Sequence, residues 1–237
     1  MNRFDRLNDL IELYRLLDIL EAKIGGKRTL GNLSWISDIP LKGVYFLFEP
    51  GEYRTDSGTG NRVVRVGTHG LKTGSNSTLR GRLRQHRGNI GGKAPGGGNH
   101  RGSVFRKHVG QALINLNHYP SESSNHWGLG PNASVHVRDL EYPIEIDVSD
   151  YLRNMNFFWI EVDDSPGPNS LRGYIERNSI ALLSNFEREM IDKPSETWLG
   201  YQTKSEMIMR SGLWNVNHVS DEYNSEFLKI FLKIIES

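Results

Sequence analysis

The chain has no cysteine, which excludes disulfides, thiolate zinc sites and thiol nucleophiles. It has no apolar run near the ~18–20 residues that a membrane span requires. Its first residues, Met1-Asn2-Arg3-Phe4-Asp5-Arg6, are charged and lead into an amphipathic pattern rather than the apolar block of a signal peptide. Both absences lead to the expectation of a cytoplasmic protein that does not enter a membrane. A further absence is local. Between Asp56 and Glu122 there is no acidic residue, while the same interval holds Arg62, Arg65, Lys72, Arg80, Arg82, Arg84, Arg87, Lys93, Arg101, Arg106 and Lys107. The net charge of +1 conceals this excess, because the acids gather towards both ends. Cations concentrated in one interval point to an anionic partner, and phosphate is the first candidate.

What is present can be read in order. Leu7, Leu10, Ile11, Tyr14, Leu17, Leu20 and Ile24 recur at helical spacing, and Gly25-Gly26 ends that helix. Gly43 to Phe48 reads as a strand that stops at Pro50-Gly51, and Arg62 to Val66 as its antiparallel partner. Thr78 suits the N-cap of a basic helix from Leu79 to Arg87. Residues 88–102 are dominated by glycine, cannot pack a core, and read as a flexible loop or insertion. Gly91-Gly92-Lys93-Ala94 lacks both the spacing and the hydroxyl of a phosphate-binding P-loop. Val104 to Leu116 has a helical pattern, residues 117–135 read as irregular, and no element is assigned over 136–155. Asn156 to Val162 is the clearest core strand. Ser170 caps a helix through Leu183 that carries Glu176, and Phe227 to Ile235 form a last amphipathic helix.

The order strand, strand, basic helix, insertion, strand, helix with an embedded glutamate resembles the GIY-YIG nuclease family. Gly43-Val44-Tyr45 is similar to the first family tripeptide, and Arg65-Val66-Gly67 stands where the second belongs. Leu79 to His86 resembles the helix with an essential arginine and, one turn on, a histidine or tyrosine; Tyr174-Ile175-Glu176 resembles the helix with the metal-binding glutamate. The resemblance covers 41–87 and 156–185. It implies an α+β fold with a small three-stranded antiparallel sheet, strands near 43–49, 62–67 and 156–162, between flanking helices. The expected divisions are an N-terminal helical segment (1–40), a nuclease core (41–185) with a basic insertion at about 88–155, and a C-terminal extension (186–237).

Each matched residue has a chemical role. Phosphodiester hydrolysis needs an activated water, neutralised phosphate charge and help for the leaving oxygen. The planar guanidinium of Arg82 can grip two phosphate oxygens. His86, four residues on, shares its helical face and suits proton transfer or phosphate contact. Tyr45 would bind the attacking water and take its proton, which a phenol of ordinary pKa near ~10 does only with help from nearby cations. Glu176 is the expected ligand for Mg2+ or Mn2+, since one carboxylate with waters and a phosphate oxygen is an ordinary shell for such an ion.

The departures from the family pattern matter. Arg65 replaces the second tyrosine, so it either contacts phosphate or marks a weakened site; His69, just beyond, could compensate. The family's asparagine has no unique match: Asn185 is nearest, with Asn215 and Asn217 further on. Lys72, Arg80, Arg84, Arg87, Lys93, Arg101, Arg106 and Lys107 form the expected nucleic-acid-binding set. The reading is a metal-dependent DNA endonuclease that leaves, by resemblance, a 5′-phosphate and a 3′-hydroxyl. A binding module that has lost cutting and an RNA nuclease are the alternatives. Nucleases with an Asp…Glu-x-Lys strand pattern are disfavoured, because the only such tripeptide, Glu21-Ala22-Lys23, falls on the N-terminal helix.

Overall fold

The computed structural model describes residues 3–32 and 34–237, with the side chain of Trp35 excepted; Met1-Asn2 lie outside it. The expected α+β class is found, with a sheet of four strands rather than three. β1 (Arg28–Thr29), β2 (Gly43–Tyr53), β3 (Asn61–Gly67) and β4 (Asn156–Glu161) pair antiparallel in the order β1-β4-β2-β3. The fourth strand escapes a sequence reading because two residues carry no period. β2 also runs past the expected stop at Pro50-Gly51, with a register break between Phe48 and Tyr53. A bulge tolerates proline, which cannot donate to a ladder.

β2 is the central strand and is buried on both faces from Gly43 to Glu49. Side chains alternate along a strand, so Val44, Phe46 and Phe48 enter one core and Tyr45 and Leu47 the other. The first core is closed by α1 (Arg3–Lys23), α6 (Leu171–Leu183) and α8 (Glu226–Glu236). The buried row Leu10, Leu13, Leu17 and Leu20 of α1 is thus covered by the protein's own sheet and helices. Residues of all three expected segments contribute to the cores.

The second core lies under α2 (Leu79–Arg87), α3 (Val104–Leu116) and α5 (Val135–Arg153). Thr78, Ser103, Ser134 and Ser170 cap α2, α3, α5 and α6 by accepting a backbone N–H. α5 departs from the sequence expectation. Pro143 lies inside it, and proline in mid-helix argues against a helix from sequence alone. The four-residue α4 (Ser121–Ser124) and the short α7 (Glu206–Ser211) complete the helices.

The glycine-rich stretch is corrected in part. Residues 89–93 are exposed, with open space around Gly91 and Gly92, but the end of the stretch is packed: a Cβ on Gly98 would lie 2.2 Å from the Arg106 guanidinium, and one on Gly97 2.7 Å from the Tyr142 ring. Glycine is needed there because side chains of α3 and α5 press against its backbone. No helix among the described residues is long and apolar enough to cross a membrane.

Candidate active site

The segment that follows β3, α2 with the turn before it, and α6 converge on a cleft of about 640 Å³ whose walls include Thr68, His69, Ser77, Arg82, Gln85 and Glu176. Arg82 and Glu176, far apart in sequence, thus face one cleft. Arg82 is half-buried on α2 and donates from Nη1 to Gln85 Oε1 (3.1 Å) and to the carbonyl of Gly102 (3.3 Å). These bonds hold the guanidinium by one edge. Gln85 is three residues along the same helix, so its partnership follows from helical geometry. Gly102 belongs to the insertion, and no local signal shows that it reaches back to α2.

Glu176 opens partly to the cleft from α6, and its Oε1 accepts the Thr68 N–H at 3.0 Å. Burial raises its pKa, and the Thr68 N–H, Arg65, His218 and Arg82 pull the other way. Its other oxygen has no hydrogen bond among the described residues. No cluster of three or more acidic or imidazole groups forms among those residues. The donor set is therefore one carboxylate open to water and substrate. That fits a hard cation which keeps most of its waters, and does not fit a site built wholly of protein ligands.

Tyr45 and His86 meet beside the cleft. The Tyr45 hydroxyl lies 2.8 Å from His86 Nε2 and accepts from Arg65 Nε at 3.3 Å. Both Tyr45 and His86 are fully enclosed, at 0% exposure. The hydroxyl sits over Gly67, where an added Cβ would lie 2.2 Å from it, so only glycine admits it there. Gly67 adjoins Thr68 of the cleft wall. Burial, then Arg82, Arg65 and Arg106, hold the His86 pKa well below its usual value, so the imidazole is neutral at physiological pH.

The remaining expected residues divide. Arg65 is buried: Nη1 donates to the Trp214 carbonyl (2.5 Å), and its guanidinium lies over the Phe105 ring at 4.6 Å. It faces Tyr45 rather than solvent. His69 reaches the cleft, but Nδ1–H donates to the Ser77 carbonyl (2.9 Å), and Nε2 accepts from Arg172 Nη1 (3.0 Å). Burial chiefly, with Arg172 adding, lowers its pKa to about 4. Both ring nitrogens are therefore engaged. Arg172 is itself ion-paired with Asp164, a pairing that no spacing in the sequence signals. Asn185 is turned away from the cleft; its side chain binds Arg6, the Ile191 N–H and the Ile191 carbonyl. Asn215 pairs instead with the backbone N–H and carbonyl of Val66 on β3.

The cation set divides in the same way. Lys72, Arg84, Lys93 and Lys107 are exposed. Arg80 donates to the Ile39 and Ser37 carbonyls, and Arg87 is buried. Arg101 makes a two-point pair with Glu141 at 2.6 and 2.7 Å. Arg106, at 0% exposure, binds Glu145 Oε2 from Nε at 3.0 Å. Arg106 is corrected here from a surface cation to an internal one. α5 returns to the acid-free interval two of the carboxylates it lacks.

Searches among curated proteins and among solved structures give no match. The family model for the GIY-YIG domain matches residues 4–237, a span that includes the basic helix, the insertion and the terminal helices. With the tripeptide positions on neighbouring strands and the arginine and glutamate on one cleft, the chain belongs to the GIY-YIG family.

Proposed function

We propose that this protein is a divalent-metal-dependent endonuclease that hydrolyses phosphodiester bonds in DNA. The observation that carries the reading is the shared cleft of Arg82 and Glu176, with the Tyr45–His86 pair one helical turn from Arg82. A GIY-YIG domain implies nuclease activity in general; the substrate, the metal and the residue roles are argued from the site.

Arg82 binds the scissile phosphate. Its guanidinium is held by Gln85 and Gly102 and faces the cleft, so charge building on the phosphoryl oxygens meets a donor already in place. Glu176 is the residue that would hold Mg2+ or Mn2+, and the ion would supply Lewis-acid charge neutralisation at the phosphate. Tyr45 accepts the proton of the attacking water admitted with substrate, and Arg65 and His86 bind its oxygen. Lys72, Arg84, Lys93 and Lys107 supply sequence-independent backbone contacts.

One observation favours a second reading, a nucleic-acid-binding module that no longer cuts: Tyr45 and His86 are wholly enclosed. A plasmid-nicking assay with and without Mg2+ separates the two. Metal-dependent nicking abolished by Arg82→Ala supports the enzyme, whereas DNA binding without nicking under any divalent metal supports the module. Competition between duplex DNA and RNA tests the substrate class.

A further inference from the structure

A second cavity, of about 480 Å³, adjoins the cleft. Leu71 lies in the wall of both, so the two meet at one side chain. That partition is firmly seated: a Cβ on Gly173 of α6 would lie 3.3 Å from Leu71 Cδ1, so a glycine lets Leu71 rest close against the helix. The other walls carry Lys72, Pro168, Arg177 and His218, and among the described residues no carboxylate lines the cavity. Lys72 and Arg177 are exposed and have no ion-pair partner among those residues. Arg101 and Arg106, by contrast, are spent on carboxylates of α5.

His218 reaches this cavity from the segment between α7 and α8. Its backbone is left-handed, with φ 63°, which is uncommon for a residue with a side chain and persists only where neighbours impose it. Asn215, three residues earlier, ties the same segment to Val66 of β3 at 3.1 and 2.8 Å. Nδ1–H of His218 donates to Asp221 Oδ2 at 2.7 Å, since a carboxylate only accepts. Nε2 has no hydrogen bond among the described residues, so the ring is oriented while its far edge stays open. A charge on this ring lowers the Glu176 pKa, which places it beside the cleft. Arg177 follows Glu176 directly on α6, with its guanidinium 5.1 Å from the centre of the Tyr174 ring.

We propose that this second cavity is the subsite for the nucleotide that adjoins the scissile phosphate: Lys72 and Arg177 hold its backbone phosphate, and its base lies against Leu71 and the open edge of His218. The proposal rests on the reading of Arg82 as the group on the scissile phosphate. A polynucleotide gripped in the cleft must leave it, and an exit with cations and no carboxylate suits its charge. An ammonium and a guanidinium only donate, which matches phosphate oxygens that only accept. Leu71 and Pro168 add apolar surface that a lone phosphate would not use but a base and sugar would. Cations beside a surface that receives the base are the means by which single strands are held. With Nδ1–H committed to Asp221, a neutral His218 offers Nε2 as acceptor to a base N–H.

The test uses the full chain, with Ca2+ in place of Mg2+, and a ladder of oligothymidylates from the dinucleotide to the hexanucleotide. In the parent, affinity is expected to step up by about tenfold at the length that enters both cavities, the scale of one hydrogen bond to a charged group. Lys72→Gln combined with Arg177→Gln should remove that step. Both side chains are exposed, so the melting temperature should hold. Lys229→Gln, which removes an exposed cation on α8, should keep the step. In 15N-histidine spectra the His218 signals, identified by their absence in His218→Gln, should move with the oligomers that show the step. A step of parental size in the double variant overturns the proposal. So does a step lost equally in Lys229→Gln, or a His218 signal unmoved at saturating hexanucleotide. None of these readouts needs cleavage. A step in affinity without nicking under any divalent metal would remove the enzyme reading and leave the subsite, whereas nicking with an unchanged step in the double variant removes the subsite alone.

Discussion

Glu176 Oε1 accepts the backbone N–H of Thr68 at 3.0 Å, and this bond ties the candidate metal ligand on α6 to the end of β3. Burial still outweighs it and raises the Glu176 pKa. A carboxyl whose folded pKa is raised binds more protons folded than unfolded. Stability then falls as pH rises from the ordinary carboxylate value through the folded one. Glu176→Gln keeps the Thr68 bond and removes the charge. It should melt higher than the parent at pH 7–8 and lose that advantage below about pH 4; for a chain of this size each ~1 kcal/mol moves Tm by about 2–4 °C. Added Mg2+ should raise the Tm of the parent and not of Glu176→Gln. Calorimetric scans across pH, with and without the ion, check both.

Arg82→Ala and Glu176→Gln should each lower DNA cleavage by about two orders of magnitude or more, the scale set by removing one preorganised electrostatic group. Both should still bind DNA, because most affinity comes from other cations. Single-turnover cleavage beside a filter-binding titration measures the split. An Arg82→Ala variant that cuts at the parent rate removes Arg82 from the phosphate.

Tyr45→Phe deletes one hydroxyl and keeps the ring that fills the second core. Cleavage should fall by about two orders of magnitude, at the lower end of general-base effects, with binding unchanged. The His86 ring is left without that partner in the same variant, so its Nε2 signal should move in an NMR spectrum even if the protein does not cut.

The exposed and buried cations should behave differently. Replacing Lys72, Arg84 and Lys107 with Ala should reduce the slope of log affinity against log salt by about 0.9 for each phosphate no longer neutralised, with little change in Tm. Arg106→Leu should leave Glu145 buried without its ion pair and destabilise the fold by roughly 3–5 kcal/mol, with no matching step of one phosphate in the salt slope. Salt titrations of binding beside denaturant melts distinguish the two.

Acid should loosen the fold through histidines. Burial holds His69 and His108 to about 4 and His86 well below its usual value. Groups with a depressed folded pKa bind more protons unfolded, so their stabilisation is present above about pH 6.5 and is lost as pH falls towards 4. His86→Gln should flatten the decline of denaturant midpoint between pH 6.5 and 4.

Periodicity and local chemistry were enough to find the parts of this protein that depend on near neighbours. The caps at Thr78 and Ser170 are set by hydrogen bonds within one turn, and the strands at Tyr45 and Trp159 by short continuous apolar, aromatic and β-branched runs, so they show in a linear pattern. The placement of Arg82 and His86 on one face of α2 is legible for the same reason. What the chain order could not reveal is where long-range partners go. Arg106 and Glu145 pair across two helices, and α5 itself is hidden by Pro143. Arg65 looks like a free cation until Trp214, Phe105 and Tyr45 enclose it. Asn185 has the right type for the site but is spent on Arg6 and Ile191, while Asn215 is spent on β3. A charged or polar side chain buried on folding must find a partner, and that partner is chosen by packing between elements distant in sequence. For that reason the basic helix that lines the cleft was readable from residue types, but the contacts of Ser103 with His86 and of Gly102 with Arg82 were decided only when the insertion folded back against α2.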